Sequence, residues 1–379
     1  MKNVPQTYIT DIKSIEIRGS LKIVVYTEEI CNYAVLNIYG STYKEKHNYI
    51  EPYERKAHVF HVPCSYVKGV CDFTFTFTNC AKESKYFECV GEQGTTYGTF
   101  DPSTKTPYDV AFEEDDSKIE IQNYTDTQIA DGVVSRVFDC VNKNGAKVKA
   151  FALYVDPKKA TMEVGTPNNE YKAGNCSQTF QGEIDAAVRD GLNVVAATNA
   201  DFFDMHDTCM PSGLVIKNGV IVANENSDRP FFAIEKNGMP LISSNHDPDL
   251  CLDDIYSAVC GREVILYYGE PFDLALCEPF GTTRHPRTCV GICPDNTFII
   301  LVVDGRIPDY SNGASLTDLC LFLQKLGAVD GINLDGGGSS TMIVKKENGF
   351  EMINHPADLH RPFDNLIRDV YNSMLIVSK

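Results

Sequence analysis

The sequence lacks both the long apolar segments of membrane proteins and the basic surface of nucleic-acid-binding proteins. Among its 379 residues, no run approaches the ~18 consecutive apolar residues that a membrane-spanning helix needs. The formal net charge is −18, so the overall field repels phosphate backbones and anionic lipids. We therefore expect no nucleic-acid partner and no membrane segment in this chain. An anionic small substrate would need a local site of backbone N–H groups and arginines.

Cysteine pairs with the spacing of zinc ligands are also missing. The 14 cysteines include no C-x-x-C pair, and Cys289 and Cys293 have no matching histidine pair, which argues against a structural zinc site. The cysteines are either disulfides or buried thiols, and the apolar helix face around Cys320 favours the second state there. The first 20 residues contain no apolar signal-peptide core. The localisation stays open between cytoplasmic and, if a leader has been removed, secreted or extracytoplasmic.

The length predicts two domains, and the residue pattern changes along the chain accordingly. Residues 1–110 are predicted to form an all-β accessory domain of sandwich type, because segments such as DFTFTFTN alternate with the period of a half-buried strand. Polar and acidic residues dominate 111–130, which is typical of a linker. Residues 131–379 combine strand and helix patterns and are predicted to form the second domain.

The clearest helix signal in this second domain is ASLTDLCLFLQKLGA. Ser315 and Asp318 form an S-x-x-D capping box at its start, and Gly327 terminates it. QGEIDAAVRDG predicts a shorter helix that ends at Gly191. Buried strands are predicted in NVVAATNADFFD, NTFIILVVDGR and DGINLDGGG. Together these elements predict an α+β fold with a mixed sheet.

Three of the predicted strands end in carboxylate or amide residues. If the strands belong to one sheet, their ends lie at one edge, and loops at such an edge commonly bind ligands. Any one Asp-Gly pair is explained equally well as an ordinary turn. Three such endings favour a shared cleft built from Asn199, Asp201, Asp204, Asp304, Arg306, Asn333 and Asp335.

The last of these strands runs into NLDGGGSSTM, which matches neither a P-loop nor a dinucleotide-binding fingerprint. Glycines permit positive φ and remove side chains that would block a close approach. Consecutive N–H groups of such a run can form an anion-binding nest, and neighbouring hydroxyls add donors. We expect phosphate oxygens to bind to Gly336, Gly337, Gly338, Ser339 and Ser340, with Arg284, Arg287 and Arg306 as clamps.

Residues 285–344, from HPRTCVGICPDNTFIILVVDGR to INLDGGGSSTMIV, resemble the core of the phosphodiester glycosidase family. Upstream, the resemblance includes YVDPKKATMEVGTP, NADFFD and PSGLVIKNG, and downstream it reaches INHPADLHRPFDNLIRDVYNSMLIV. It covers about residues 130–379 and leaves the β-rich N-terminal region outside. In the NADFFD slot the family often has glycine where this chain has Asp201. The resemblance identifies 131–379 as a phosphodiester glycosidase-like catalytic domain.

The resemblance implies a hydrolase that splits a sugar, such as N-acetylglucosamine, from a phosphodiester at its anomeric carbon. A departing phosphate needs anion stabilisation more than a proton, whereas the positive sugar needs a nearby carboxylate. Asp335, Asp304 and Arg306 are the catalytic candidates, and Asn199, Asp201 and Asn333 are candidates for binding substrate. His285 and His355 are either structural or phosphate donors.

Two alternatives to a hydrolase remain open. The same cleft fits a non-catalytic glycan- or cell-wall-binding protein, or a glycosyl-phosphate transferase in polysaccharide (exopolysaccharide) biosynthesis. No cofactor is required by the chemistry above. However, the acids Asp201, Asp204, Asp304 and Asp335 are hard oxygen ligands that suit calcium or magnesium. The expected partner is a sugar-phosphate or glycan substrate.

Overall fold

The chain forms two compact units, Met1–Ala111 and Phe112–Lys379. The computed structural model describes residues 9–17, 20–38, 41–44, 55–63, 71–78, 93–100, 119–174, 177–224, 229–244, 250–267, 269–271, 280–357 and 367–379.

In the first unit, every described residue belongs to a β-strand. The strands are β1 (Ile9–Ile17), β2 (Ser20–Ile38), β3 (Ser41–Lys44), β4 (Arg55–Pro63), β5 (Cys71–Thr78) and β6 (Gln93–Phe100). The long β2 pairs with β1 and β4 through its first half and with β3 and β5 through its second half. Phe60 and Phe75 are fully buried and meet edge to face. The all-β character expected for this region is confirmed in these strands.

The second unit contains three sheets and two helices. Its strands are β7 (Ile119–Ala130), β8 (Val133–Asn142), β9 (Lys147–Val155), β10 (Ala160–Gly165), β11 (Val194–Asn199), β12 (Leu214–Lys217), β13 (Val220–Asn224), β14 (Phe231–Glu235), β15 (Pro240–Ser243), β16 (Ile255–Cys260), β17 (Glu263–Tyr267), β18 (Glu270–Pro271), β19 (Arg287–Ile292), β20 (Phe298–Val303), β21 (Asp330–Asn333), β22 (Met342–Lys346), β23 (Gly349–Met352) and β24 (Ser373–Ser378). The helices are α1 (Phe180–Arg189) and α2 (Leu316–Lys325).

The linker expected over 111–130 is wrong for most of its length. Ile119–Ala130 is the edge strand β7, which pairs with β8 along its whole course. Most of its side chains are exposed, and it has a neighbouring strand on one side alone. An edge strand facing water carries the same polar composition as a loop, which explains the error.

Strand order places two of the three strands that carry the expected site in one sheet. The eight-stranded sheet has the order β18-β17-β21-β19-β20-β9-β8-β7, and the two five-stranded sheets have the orders β10-β24-β11-β22-β23 and β13-β12-β16-β14-β15. β20 and β21 both pair antiparallel with β19, so their C-terminal ends reach the same edge. β11 lies in another sheet, so the expectation of a single sheet is wrong for Asn199. The α+β class is confirmed, although the recorded strand pairs of the described residues are antiparallel and not mixed.

The main core lies between the sheets and contains side chains of all three. α2 covers the other face of the eight-stranded sheet with Leu316, Leu319, Cys320 and Leu323, all fully buried. Its predicted capping box between Ser315 and Asp318 is confirmed. α1 packs on β11 and β24. Of the helices in the described residues, none has the length and apolarity required to cross a membrane.

Candidate active site

A cavity of about 270 Å³ opens where the loops after β11, β20 and β21 meet the segment that leads into β19. Its lining combines polar and charged groups with apolar side chains. The lining residues are Phe202, Met205, Phe280, His285, Arg287, Arg306, Asp335, Gly336, Gly337, Gly338 and Arg368. The cavity therefore gathers one carboxylate, three arginines and the predicted glycine run.

Asp335 is the carboxylate of this cavity, and its backbone is fixed by two elements. Its N–H donates to the carbonyl of Ala200 at 3.0 Å, and its carbonyl accepts from the side-chain amide of Asn199. Burial raises the pKa of the Asp335 carboxyl to about 6, even though Ser339 and the Gly336 N–H donate to it and nearby arginines favour its charged form. At neutral pH it is an anion with limited hydration, positioned to face a positive group.

The glycine run approaches other backbone closely. A Cβ on Gly336 would lie 2.8 Å from the carbonyl oxygen of Pro286. Gly337 has φ +61°, and a Cβ there would lie 3.2 to 3.3 Å from the terminal nitrogens of Arg306. Only glycine satisfies both demands, so these residues let the loop pack under the arginine.

Four of the five N–H groups expected to form an anion-binding nest donate within the protein. The N–H of Gly336 donates to the Asp335 side chain, and the N–H of Gly337 donates to Pro286 O at 2.8 Å. The N–H groups of Ser339 and Ser340 donate to carbonyls of the same loop at 3.2 and 3.3 Å. These four donors are used within the fold, because the run closes into a tight turn instead of opening toward a ligand.

Arginine side chains supply the positive charge of the cavity lining. Arg306 has φ +63° and donates to Ala357 O at 3.2 Å and to His285 Nδ1 at 3.4 Å. Arg368 donates to the hydroxyl of Ser339 at 3.4 Å. Three positive charges, with that of Arg287, therefore face one carboxylate in a chain whose overall charge is strongly negative.

Arg287 is the most buried of these three. It donates to the carbonyls of Phe280, Thr283 and Ala314 at 2.6 to 3.2 Å. Burial lowers its pKa to about 10, so it stays positively charged at neutral pH. Its guanidinium lies 4.6 Å from the centre of the Phe280 ring.

The apolar part of the lining consists of Phe202, Phe280 and Met205. The two phenylalanine rings meet edge to face at 6.2 Å, and the guanidinium of Arg262 lies 4.0 Å from the centre of the Phe280 ring. Arg229 lies 5.5 Å from the centre of the Phe202 ring. These contacts hold both rings in place beside the charged groups.

Asp304 does not line the cavity, contrary to its predicted catalytic role. It is fully buried, and its carboxylate accepts from Asn354 Nδ2 at 2.8 Å, His355 N at 2.7 Å and Tyr310 OH at 3.0 Å. Burial raises its pKa to about 6, against these hydrogen bonds. Asp304 therefore anchors the segment after β23 beneath the site.

Arg284 is also outside the cavity. It forms an ion pair of 2.7 Å with Asp318, the buried capping residue of α2, and donates to Gly313 O. The predicted anion clamp at Arg284 is therefore wrong, because the charge of this side chain is used at the helix start. Arg287 and Arg306 do reach the cavity.

The predicted substrate-binding amides are buried supports. Asn199 accepts from the hydroxyl of Thr288 at 2.8 Å and from Thr341 N at 3.2 Å, in addition to holding Asp335. Asn333 is fully buried and donates to Glu263 at 3.3 Å. Ser339 and Ser340 are fully buried too, although Ser339 still contacts Asp335 and Arg368.

Asp201 lies behind the cavity wall. It accepts from Asn372 Nδ2 at 2.9 Å and from Cys260 N at 3.0 Å, and its second oxygen has no hydrogen-bond partner among the described residues. Burial raises its pKa to about 8, so the side chain is neutral at neutral pH. A neutral, enclosed acid does not match the substrate-binding role predicted for it.

The four acids proposed as metal ligands do not gather around one point. Asp204 is exposed and accepts from N–H groups of its own loop, at His206 and Thr208. Asp304 and Asp201 are separately enclosed by their own partners. Within the ranges given above, no group of three or more His, Cys, Asp or Glu side chains is placed to hold a metal ion.

Sequence reasoning missed several residues of the cavity. Arg368, Phe202, Phe280 and Met205 line it without having been singled out, and His285 was considered without a definite role. The phenylalanine of NADFFD is the one signal that was available, because it follows directly on the strand-end motif. Arg368 lies far along the chain in a segment with no distinctive spacing, so only tertiary structure reveals it.

Known proteins are similar to this chain over the part that contains the cavity. Residues 192–372, which include every residue of the cavity, match the family model described as phosphodiester glycosidase. The N-acetylglucosamine-1-phosphodiester alpha-N-acetylglucosaminidase of Mus musculus is 26% identical over 205 residues. That match covers 49% of this chain and 38% of the mouse protein.

Two solved structures share the fold. One is the catalytic domain of the zebrafish N-acetylglucosamine-1-phosphodiester alpha-N-acetylglucosaminidase, auto-inhibited by its pro-peptide (TM-score 0.53, 22% identity, 68% of this chain and 88% of that one). The other is a hypothetical protein from Synechocystis (TM-score 0.53, 11% identity, 100% of this chain and 82% of that one). Over residues 192–372, which enclose the cavity, the chain is therefore similar to phosphodiester glycosidases.

Proposed function

We propose that the protein is a hydrolase that cleaves the bond between an anomeric sugar carbon and a phosphodiester. The products are the free sugar and a phosphomonoester. The observation that carries this proposal is the composition of one cavity, which is lined by Arg287, Arg306 and Arg368 and by the single carboxylate of Asp335. The match of residues 192–372 to the phosphodiester glycosidase model supports the same reaction class.

The arginines account for binding and departure of the phosphate. Guanidinium groups form charge-assisted hydrogen bonds with phosphate oxygens and are always protonated. They also stabilise the negative charge that grows on the phosphate oxygen as the sugar–oxygen bond breaks. The negative charge of the whole protein provides no such attraction, so this local cluster has to supply it.

The presence of one accessible carboxylate suits this leaving group. Most glycosidases need two acids, because an alkoxide must be protonated as it departs. A phosphomonoester is a far weaker base, with a second pKa near ~6, and leaves as an anion. Asp335 then stabilises the positive sugar, and water adds its hydroxyl to the anomeric carbon while its proton passes to Asp335. The bond to phosphate breaks with both electrons on the phosphate oxygen.

The apolar part of the cavity lining suggests where the sugar binds. Phe202, Phe280 and Met205 can contact the C–H groups of a sugar ring or the methyl of an acetamido group. The mouse relative is named for N-acetylglucosamine, so we propose this sugar as the first substrate to test.

The test is a panel of α-linked sugar phosphodiesters, including a nucleoside diphosphate sugar, with release of free reducing sugar as the readout. Methyl glycosides of the same sugars are the matched control, because their leaving group cannot use the arginines. We expect release from phosphodiesters alone. Repeating the assay with a chelator tests the calcium or magnesium alternative.

Two variants make this test specific. Asp335→Asn should abolish turnover, by ~10³-fold or more, without unfolding the protein. Asp295→Asn changes an exposed turn residue on the far end of β19 and β20 and should leave turnover unchanged. Binding of phosphodiesters without sugar release would favour the glycan-binding alternative. Transfer of the sugar to an added acceptor in preference to water would favour the transferase.

A further inference from the structure

His285 occupies a fixed place in the cavity wall. Its backbone N–H donates to Ala314 O at 3.2 Å, and its carbonyl accepts from Ala314 N at 3.0 Å. Gly313 permits this pairing, because a Cβ there would lie 2.7 Å from the carbonyl oxygen of His285. The backbone on either side of the imidazole is therefore held, and the side chain lines the cavity beside the arginines.

One ring nitrogen of His285 is already used. The Nε and Nη2 atoms of Arg306 both lie 3.4 Å from His285 Nδ1. A guanidinium has donors and no acceptor, so Nδ1 must be the unprotonated nitrogen that accepts. The proton of the neutral ring is then on Nε2, the nitrogen on the opposite side of the ring.

The surroundings of His285 keep its ring neutral. Burial lowers the pKa of its imidazole, and the positive charges of Arg306 and Arg287 lower it further. A neutral ring with Nδ1 committed to Arg306 has one donor left, the Nε2–H group. In the same cavity the remaining charged groups are Arg368 and the carboxylate of Asp335.

We infer that His285 serves the phosphate subsite with both ring nitrogens, Nδ1 orienting Arg306 and Nε2–H donating to an anionic oxygen of the bound phosphate. This inference rests on the proposed function for the identity of the anion. It makes His285 a binding residue through Nε2 and a positioning residue through Nδ1. A second donor beside the guanidinium would fix the orientation of the phosphate, which a single positive charge does not do.

Two substitutions separate the two nitrogens. In His285→Asn the amide oxygen takes the place of Nδ1 and can still accept from Arg306, but no donor replaces Nε2. In His285→Gln the longer amide reaches the place of Nε2 and can donate, while the acceptor for Arg306 is lost. His206→Gln, an exposed position in the loop after β11, is the control.

The first measurement is calorimetric binding of inorganic phosphate to the full chain. We expect His285→Asn to weaken binding by about tenfold or more, as loss of a hydrogen bond to a charged group does, and His285→Gln to stay within about threefold. For turnover we expect the opposite order. The kcat should fall more in His285→Gln than in His285→Asn, because Arg306 loses its orientation in His285→Gln. Equal effects of both variants on phosphate binding, or no effect of either, would overturn the inference.

The second measurement is a long-range nitrogen–carbon NMR spectrum of histidine-labelled protein, with His285→Asn used to assign the signal. We expect the Nε2–H tautomer at neutral pH and a shift of Nε2 when phosphate is added. An imidazolium, the opposite tautomer or no response to phosphate would contradict the inference. Neither measurement needs turnover, so an inactive protein with these two results would refute the proposed hydrolase while the histidine inference stands. Absence of phosphate binding in the unmodified protein would refute the inference itself.

Discussion

The side-chain amide of Asn199 donates a hydrogen bond to the main-chain carbonyl of Asp335, which joins the ends of β11 and β21 from two different sheets. Through this bond a fully enclosed amide determines where the cavity carboxylate stands. The same amide accepts from Thr288 and Thr341, so its orientation is set on both sides.

Replacing Asn199 with Asp should therefore damage catalysis without removing any cavity group. A carboxylate oxygen would face the Asp335 carbonyl, and the repulsion would displace the backbone that carries the acid. We expect kcat/KM to fall by about 10²-fold, the effect of a displacement near 1 Å, together with a lower melting temperature. Asn348→Asp, at an exposed hairpin turn, is the control. Normal kinetics in Asn199→Asp would show that Asp335 does not depend on this bond.

The pH dependence of turnover should follow the Asp335 carboxyl. Burial raises its pKa to about 6, and the proposed chemistry needs the anion, which exists above that pKa. We expect kcat/KM to fall by about tenfold per pH unit below that value and to level off above it. Measuring kcat/KM over a series of pH values at which the protein stays folded tests this decrease. A rate that stays constant well below pH 6, or that increases there, would mean that the charged form of Asp335 is not the active one.

Asp304→Asn should affect stability more than chemistry. One of its two oxygens would become a donor facing Asn354, His355 or Tyr310, which leaves buried groups unsatisfied at a cost of about 1–3 kcal/mol. We expect a lower melting temperature, with kcat of the folded protein within about tenfold of the original. Thermal denaturation and kinetics on the same sample decide this. A fully inactive variant of unchanged stability would show that Asp304 has a catalytic role after all.

Gly337→Ala should lose function beyond its effect on stability. Its φ of +61° costs a residue with a Cβ roughly 1–2 kcal/mol, and the new methyl would press on the guanidinium of Arg306. Gly145→Ala is a matched control with φ +74° and no atoms nearby. We expect similar destabilisation in both and a loss of phosphate binding in Gly337→Ala alone. Equal phosphate binding in the two variants would show that Arg306 does not need the glycine.

The pattern of the sequence was sufficient to predict several elements of the local structure. Alternation and capping signals predicted β5, β20 and α2, because short-range periodicity and helix ends are encoded by neighbouring residues. The motif NLDGGGSS also identified the cavity loop and its acid. Motifs at strand ends predict a site because the loops that follow β11, β20 and β21 meet at the cavity.

The rest depended on partners that are distant in the chain. Asp304 resembled a catalytic acid until Asn354 and His355, 50 or more residues later, were seen to enclose it. Arg284 resembled an anion clamp, but Asp318 pairs with it. The N–H groups of Gly336 and Gly337 were available in principle, but Asp335 and Pro286 accept from them. No local pattern announces such pairings, since each depends on two segments meeting in the folded state.

Hydrolysis of a sugar phosphodiester in oxygen-18-labelled water tests the central claim most directly. If Asp335 stabilises a positive sugar while the arginines accept the departing phosphate, the bond from the anomeric carbon to oxygen breaks. Mass spectrometry would then find the heavy oxygen in the released sugar and none in the phosphomonoester. Heavy oxygen in the phosphomonoester would show that water attacks phosphorus, and would contradict the account.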